Sequence, residues 1–305
     1  MKLRFFLLMF FAFFALGQKG YAADEFEMDL KPDGLYLNNL NTGLLQRIFL
    51  DFGYDNFIND DKKIPSIILE SMPFDFDKVE PKSERNRLFI MIMSPLALKV
   101  NEEIILERDE IEQIKKVLDE EKSLSDEQKK KIEDLAVKYD IFTRMKDNER
   151  YDVILHNLLM KVDEIPPSLL IAVAAAESNW GTADEVKQGN ALFKLKDWFT
   201  TEGIKPKDET DDSYRIRVYQ DLLSAVRGYA LKLNSDINFR HLWISRRQLR
   251  KHSSVLKGRM TVYNMVVGSP LENYAGLLSY ILTFYDLINV DMSELSNVAE
   301  GMEKK

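Results

Sequence analysis

A glutamate at the end of an apolar helix is the residue in this sequence best suited to chemistry. The run Leu169–Ala176 is apolar almost throughout, and it is followed by Glu177 and the segment Ser-Asn-Trp-Gly at 178–181. Gly181 is predicted to end this helix in a left-handed conformation. In a helix, Glu177 lies over Val173 and Ala174, so its carboxyl group shares a face with apolar side chains. Such surroundings favour the protonated carboxyl group, which a general acid for glycosidic bond cleavage requires. The alternative is a glutamate that simply turns into water at a helix end.

The residues around Glu177 form a longer pattern. It comprises Pro166–Leu169, Glu177–Thr182 and, after a short polar turn, Gly189–Phe193. This string resembles the glucosaminidase family of peptidoglycan-cleaving enzymes (glycoside hydrolase family 73), and in particular its Bax-type branch in Gram-negative bacteria. The resemblance covers about residues 151–288, with a looser likeness upstream through Arg87–Ile90 and Asn101–Ile104.

The resemblance implies a lysozyme-like architecture, in which the Glu177 helix forms the floor of a sugar groove and a β-hairpin forms one wall. The implied activity is that of an endo-β-N-acetylglucosaminidase that acts on peptidoglycan glycan strands, with Glu177 as the general acid. No cofactor and no metal are implied. Two alternatives stay open: a lytic transglycosylase, and a non-catalytic wall-binding or scaffold protein with a degenerate groove.

A second carboxyl group is usually needed, either to activate water or to attack the sugar carbon. The family places an acidic residue in the hairpin, and we select Glu209, with Glu202 second; Asp208, Asp211 and Asp212 are further candidates in the same segment. These acids could equally form a solvated turn. The 2-acetamido group of the substrate could also serve as the nucleophile. The sequence leaves retaining, inverting and substrate-assisted mechanisms open.

Aromatic side chains close to the motif are candidates for stacking on sugar rings. They are Trp180, Phe193, Tyr214 and Tyr274. The resemblance adds Asn190, which matches an asparagine of the family and is expected to support the loop below Glu177. Each aromatic residue has a simpler interpretation as part of the core, and Asn190 as an ordinary turn residue.

Two positions depart from the family pattern. Lys194 stands where the family has a glycine after Leu-Phe, and a lysine does not readily adopt the left-handed backbone that a glycine permits. The approach to Tyr274, over 267–273, also differs from the usual pattern of tyrosine and glycine. Both departures could alter specificity or turnover.

The rest of the pattern predicts a mostly α protein. Amphipathic helices are expected over 102–121, from a capping box at Ser125, and from Asn148 onward, while Tyr214, Ile216 and Val218 alternate as in a small hairpin. We expect a lysozyme-like helical domain with a small β-hairpin lobe, preceded by an N-terminal helical extension.

The predicted division of the chain has four parts. Residues 1–22 resemble a signal peptide, because Lys2 and Arg4 precede a 12-residue apolar run that ends near small residues. Residues 23–150 form the extension with its helical hairpin, 151–290 the glucosaminidase domain, and 291–305 a flexible tail. The expected location is the periplasm, or the inner membrane if the signal segment stays uncleaved as an anchor.

The net charge and the residue types limit the classes of partner and ligand that the sequence predicts. The formal net charge is −8, and removal of residues 1–22 deletes three cations and no acid, which makes it −11. Such a charge argues against a nucleic-acid partner.

The chain has no cysteine, and His156, His241 and His252 fall in no metal-binding spacing. A basic cluster at 246–252 could attract the carboxylates of peptidoglycan stem peptides, or it could be a solvated helix face. Protein partners cannot be read from the sequence.

Overall fold

The computed structural model describes residues 26–58, 61–206, 213–252, 255–266 and 273–298 of the chain. Within these ranges, α-helices predominate and the strands are short. The helices are α1 (Thr42–Asp51), α2 (Lys82–Glu121), α3 (Asp126–Lys138), α4 (Asp147–Lys161), α5 (Pro167–Glu177), α6 (Asp184–Gly189), α7 (Leu222–Ser235), α8 (Arg240–Leu249), α9 (Gly258–Met265), α10 (Tyr274–Phe284) and α11 (Ile288–Asp291). The strands are β1 (Glu27–Lys31), β2 (Gly34–Asn38), β3 (Lys63–Pro65), β4 (Ile67–Leu69), β5 (Lys196–Asp197), β6 (Arg215–Ile216) and β7 (Glu294–Ser296). This content confirms the mostly α, lysozyme-like fold class.

Helix α5 lies at the centre of the molecule. Every residue from Pro167 to Ala175 is buried, because α2, α9, α10 and α11 all pack against this helix. Pro167 occupies its first turn, where a missing N–H costs little. The Ser168 N–H and hydroxyl donate to the buried Asp291 carboxylate at 2.8 and 2.7 Å, which caps the helix start. Glu177 is therefore the last residue of a helix that the surrounding helices enclose and hold in place.

Helix α2 is longer than the sequence predicts. The expected helix over 102–121 is the second half of a 40-residue helix whose first half is buried around most of its circumference. Because most sides of this half are buried, its apolar residues do not recur with a helical period in the sequence. Pro95, a residue that normally breaks helices, is a second reason why the sequence does not predict this half. Pro95 leaves the Met91 carbonyl without its usual donor, and the Tyr54 hydroxyl donates to that oxygen at 3.1 Å instead.

Helix α3 begins as predicted. Ser125 and Gln128 form a capping box, and Ile132 and Leu135 are buried. The helix packs against α4, and Lys138 and Tyr139 bond to Glu107 of α2. The predicted boundary at residue 150 stays a prediction, although α2 packs directly against α5 across it.

The prediction of a flexible tail over 291–305 is wrong for the first part of this range. Glu294–Ser296 (β7) pairs in parallel with Lys63–Pro65 (β3), and Val298 is buried. This pairing escapes sequence analysis because the two strands have only three residues each and lie far apart in the chain. Residues 299–305 lie outside the described ranges, as do residues 1–25, which include the predicted signal peptide. None of the described helices is long and apolar enough to cross a membrane.

The predicted hairpin is present and small. Lys196 pairs with Ile216 and Asp197 with Arg215 in antiparallel register, and Ile204 forms a further bridge to Ile216. Ala191, Tyr214 and Ile216 form its own small apolar cluster. The hairpin starts three residues after Phe193 and so stands beside the segment that follows Glu177.

Candidate active site

The Glu177 carboxyl group is half-buried and has one hydrogen-bond partner among the described residues. The Tyr274 hydroxyl, at the first residue of α10, donates to Glu177 Oε1 at 2.6 Å. Burial, followed by the negative charge of Glu177 beside it, raises the pKa of Tyr274. Tyr274 consequently stays protonated and acts as a fixed donor. It holds one carboxyl oxygen and leaves the other without a hydrogen bond inside this part of the chain.

A second tyrosine lies close enough to Glu177 to be affected by its charge. Tyr229 of α7 is buried, and burial together with the charge of Glu177 raises its pKa. Its ring stacks on Phe193 with centroids 4.2 Å apart and an interplanar angle of 3°. Tyr229 is absent from the residues that the sequence predicts for the site. Its role beside Glu177 follows from helix packing that no local pattern reveals.

Phe193 contacts protein instead of an open groove. Only 4% of its surface is exposed, and Tyr229 covers one face of its ring. The predicted stacking of Phe193 on a sugar is therefore corrected, because no free ring face remains. Tyr214 is corrected for the same reason: it is 3% exposed, its ring packs on Trp198, and Lys196 Nζ lies 4.0 Å from its ring centre.

The turn after Glu177 has an unusual backbone. Asn179, Trp180 and Gly181 have φ values of 48°, 58° and 76°, so three successive residues adopt left-handed conformations. Ser178 holds this turn, since its hydroxyl donates to the Ala174 carbonyl and accepts from the Gly181 N–H at 2.8 Å. The predicted left-handed Gly181 is confirmed. A Cβ there would lie 2.9 Å from Met72 Cε and from Phe89 Cδ2, so residue 181 also requires a glycine for space.

Trp180 is wedged between two other rings. Its centroid lies 5.9 Å from that of Phe89 in α2 and 4.8 Å from that of Tyr285 after α10. Asn86 Nδ2 donates to the Tyr285 hydroxyl at 2.7 Å and fixes this ring in turn. Trp180 is half-buried, so part of its surface stays available to a ligand. The N-terminal extension thus supports the turn that carries Glu177.

Asn190 and Lys194 shape the loop that leads to the hairpin. Asn190 ends α6 with φ 52°, and its Nδ2 donates to the carbonyl oxygens of Tyr219 and Gln220 at 3.2 Å each. It thereby ties this loop to the segment before α7. Lys194 has φ 43°, which is the left-handed conformation expected of the family's glycine, and its Nζ pairs with Glu185 at 3.4 Å. The backbone shape is retained despite the substitution.

The second carboxyl group is not identified. Glu202 lies on the exposed surface of the hairpin segment, where its backbone N–H bonds to the Thr200 hydroxyl. Glu209 lies outside the described residues, and so do Asp208, Asp211 and Asp212. In the described part of the chain, no group of three or more histidine, aspartate or glutamate side chains is placed to hold a metal ion.

The basic cluster at 246–252 separates into two parts. Arg246 is fully buried and donates to the carbonyl oxygens of Lys161, Asp163 and Glu164. Arg250 bonds to the Asp163 carboxylate at 2.7 Å and to Glu164. These two arginines hold the connection between α4 and α5 in place. The exposed part of the cluster is smaller than the sequence indicates.

Two comparisons relate this chain to known proteins. Residues 156–283 match the glucosaminidase family model, described as mannosyl-glycoprotein endo-β-N-acetylglucosaminidase. The chain is 28% identical over 211 residues to Protein bax of Escherichia coli (strain K12). The alignment covers 67% of this chain and 72% of that protein. No solved structure matches the chain. The region that matches the family model includes Glu177, Tyr229 and Tyr274, and it excludes all of α2.

Proposed function

We propose that this chain, which contains a Bax-type glucosaminidase-like domain over residues 156–283, hydrolyses glycan strands of peptidoglycan as an endo-β-N-acetylglucosaminidase. The observation that carries the proposal is the placement of Glu177. Its carboxyl group projects from the end of an enclosed helix, inside the family's motif, and receives a 2.6 Å hydrogen bond from Tyr274. A carboxyl group fixed in this way can be held in line with a glycosidic oxygen.

In the proposed reaction, Glu177 transfers its proton to the glycosidic oxygen while the bond between that oxygen and the anomeric carbon breaks. Water then adds to the anomeric carbon and gives up a proton. Either a hairpin carboxylate, Glu209 or Glu202, accepts this proton, or the acetamido oxygen of the substrate first attacks the carbon and the Glu177 carboxylate afterwards activates the water.

The products of peptidoglycan digestion test the proposal. Purified protein is incubated with sacculi, and the released fragments are reduced and analysed by mass spectrometry. We expect reducing N-acetylglucosamine ends, which Glu177→Gln should abolish. Anhydro-muramic ends would indicate a lytic transglycosylase. Binding to sacculi without soluble products would indicate a scaffold protein.

Variants of the hairpin acids separate the two mechanisms. Loss of turnover in Glu209→Gln, with Glu202→Gln as the matched comparison, would assign the second carboxyl group to the protein. Full turnover in both would favour the substrate acetamido group. An oligosaccharide substrate without acetamido groups provides the complementary test, because only a protein carboxylate would still support its cleavage.

We also propose export to the periplasm, where this substrate is found. The proposal is supported by the basic start and the 12-residue apolar run within residues 1–22. Cell fractionation and mass analysis of the mature chain test it. A chain that begins at Ala23 in the periplasmic fraction is expected, and a full-length cytoplasmic chain would contradict the proposal.

A further inference from the structure

Helix α10 exposes apolar side chains along one face. Its eleven residues, Tyr274–Phe284, include no charged side chain, in a protein in which 30% of residues are charged. Leu277, Tyr280 and Phe284 are 47%, 59% and 64% exposed, and the spacing of three and four residues places them side by side. The rings of Tyr280 and Phe284 stack with centroids 5.3 Å apart. A helix face that only met water would carry polar or charged side chains at these positions.

A series of ring contacts links this face to the candidate active site. The ring centroids of Phe284 and Tyr285 lie 4.9 Å apart, and those of Tyr285 and Trp180 lie 4.8 Å apart. Trp180 follows Glu177 by three residues. The same helix begins at Tyr274, which donates to Glu177. With a rise of 1.5 Å per residue, Tyr280 lies about 9 Å and Phe284 about 15 Å along the helix axis from Tyr274. These spans correspond to a few sugar units of a glycan strand.

The chemistry of the face fits an uncharged sugar. Stacked aromatic rings offer an apolar surface to the C–H face of a pyranose ring, and the exposed polar side chains of Asn273 and Thr283 lie at the edges of the face. N-acetylglucosamine carries no charge, which matches a helix without charged residues. An anionic membrane surface would need basic side chains, and α10 supplies none.

We propose that Leu277, Tyr280 and Phe284 form a binding subsite for N-acetylglucosamine units of the glycan, away from the bond held at Glu177. The proposal rests on the proposed glycosidase function, and it assigns α10 two tasks. The start of the helix fixes the Glu177 carboxyl group, and its exposed face binds the continuing strand. Longer strands should therefore bind more tightly than short ones.

Binding of N-acetylglucosamine oligomers to the full chain tests this subsite. The Glu177→Gln variant prevents cleavage, and calorimetry compares a β-1,4-linked dimer with the hexamer. We expect Tyr280→Ala combined with Phe284→Ala to weaken hexamer binding by about tenfold, because both apolar ring faces are lost to the sugar. Dimer binding should change little. Phe142→Ala removes an exposed ring from the connection between α3 and α4 and serves as the matched control.

The outcomes separate the subsite from the function. Equal hexamer affinity with and without the two rings would overturn the subsite, while cleavage of sacculi by the wild type would still support the glycosidase. If the parent variant binds neither oligomer, the same two substitutions are placed in the wild type, where an unaltered KM for sacculi would overturn the subsite. Loss of self-association, or of binding to phosphatidylglycerol vesicles, in the double variant would show that the face serves a second copy or a bilayer instead.

Discussion

Tyr274 donates a hydrogen bond of 2.6 Å to Glu177, across 97 positions of the chain. This contact joins the first residue of α10 to the last residue of α5, so two helices converge on one carboxyl group. Glu177 cannot rotate freely while this bond persists, because one of its oxygens is fixed. The relationship makes Tyr274 a positioning residue for the proposed acid.

Removal of the Tyr274 hydroxyl should reduce turnover. Glu177 becomes a charged carboxylate as its proton leaves, and hydrogen bonds to charged groups contribute about 1.5–3 kcal/mol. We therefore expect Tyr274→Phe to lower kcat/KM by roughly ten- to a hundredfold. The measurement is the rate of release of soluble fragments from sacculi. Tyr263→Phe, on the exposed surface of α9, is the matched control and should retain wild-type turnover. Equal rates for Tyr274→Phe and the wild type would show that the contact does not position Glu177.

Residue 181 should tolerate no side chain. In Gly181→Ala the new Cβ would meet Met72 and Phe89 at 2.9 Å, in a left-handed conformation with φ 76°. Backbone strain and overpacking together should lower the free energy of unfolding by about 3 kcal/mol, as measured by urea denaturation. Gly276→Ala is the matched control, because no atom lies within 4 Å of a Cβ at that helical position. A Gly181→Ala protein as stable as the control would contradict this packing.

The buried Asp291 should make stability depend on pH. Burial raises its pKa to about 6, despite hydrogen bonds from Gly258 and Ser168. Between about pH 4 and 6 the folded protein holds a proton that the unfolded chain releases. The contribution of Asp291 to the free energy of unfolding therefore falls as pH rises through this window, by up to about 3 kcal/mol.

The difference between wild type and Asp291→Asn isolates this contribution. Thermal unfolding from pH 4 to pH 7 should show a smaller decrease in stability with rising pH in the variant. Ser168→Ala removes one donor to the carboxylate and should move the window to higher pH. Parallel pH profiles for wild type and Asp291→Asn would contradict the assigned pKa.

The sequence predicts the parts of the site that depend on local pattern. Gly181 signals the left-handed end of the Glu177 helix, and Ser125 signals the start of α3. Both follow from backbone preferences that a few neighbouring residues determine. The mostly α class likewise follows from helical periodicity over many residues.

Long-range packing explains what the sequence does not reveal. Phe89 and Asn86 reach Trp180 and Tyr285 from α2, whose buried first half shows no helical period. The sequence alone makes Phe193 a candidate ligand contact, because it does not distinguish a buried phenylalanine from an exposed one. Only the stack on Tyr229 distinguishes the two.

The most direct test of the central claim compares wild type with Glu177→Gln on purified sacculi, with release of reducing N-acetylglucosamine ends as the readout. Glutamine preserves shape and accepts the Tyr274 hydrogen bond but cannot donate an acidic proton. We predict a loss of about a hundred- to ten-thousandfold in rate, with folding and sacculus binding intact. Equal release of these ends by both proteins would contradict the role of Glu177.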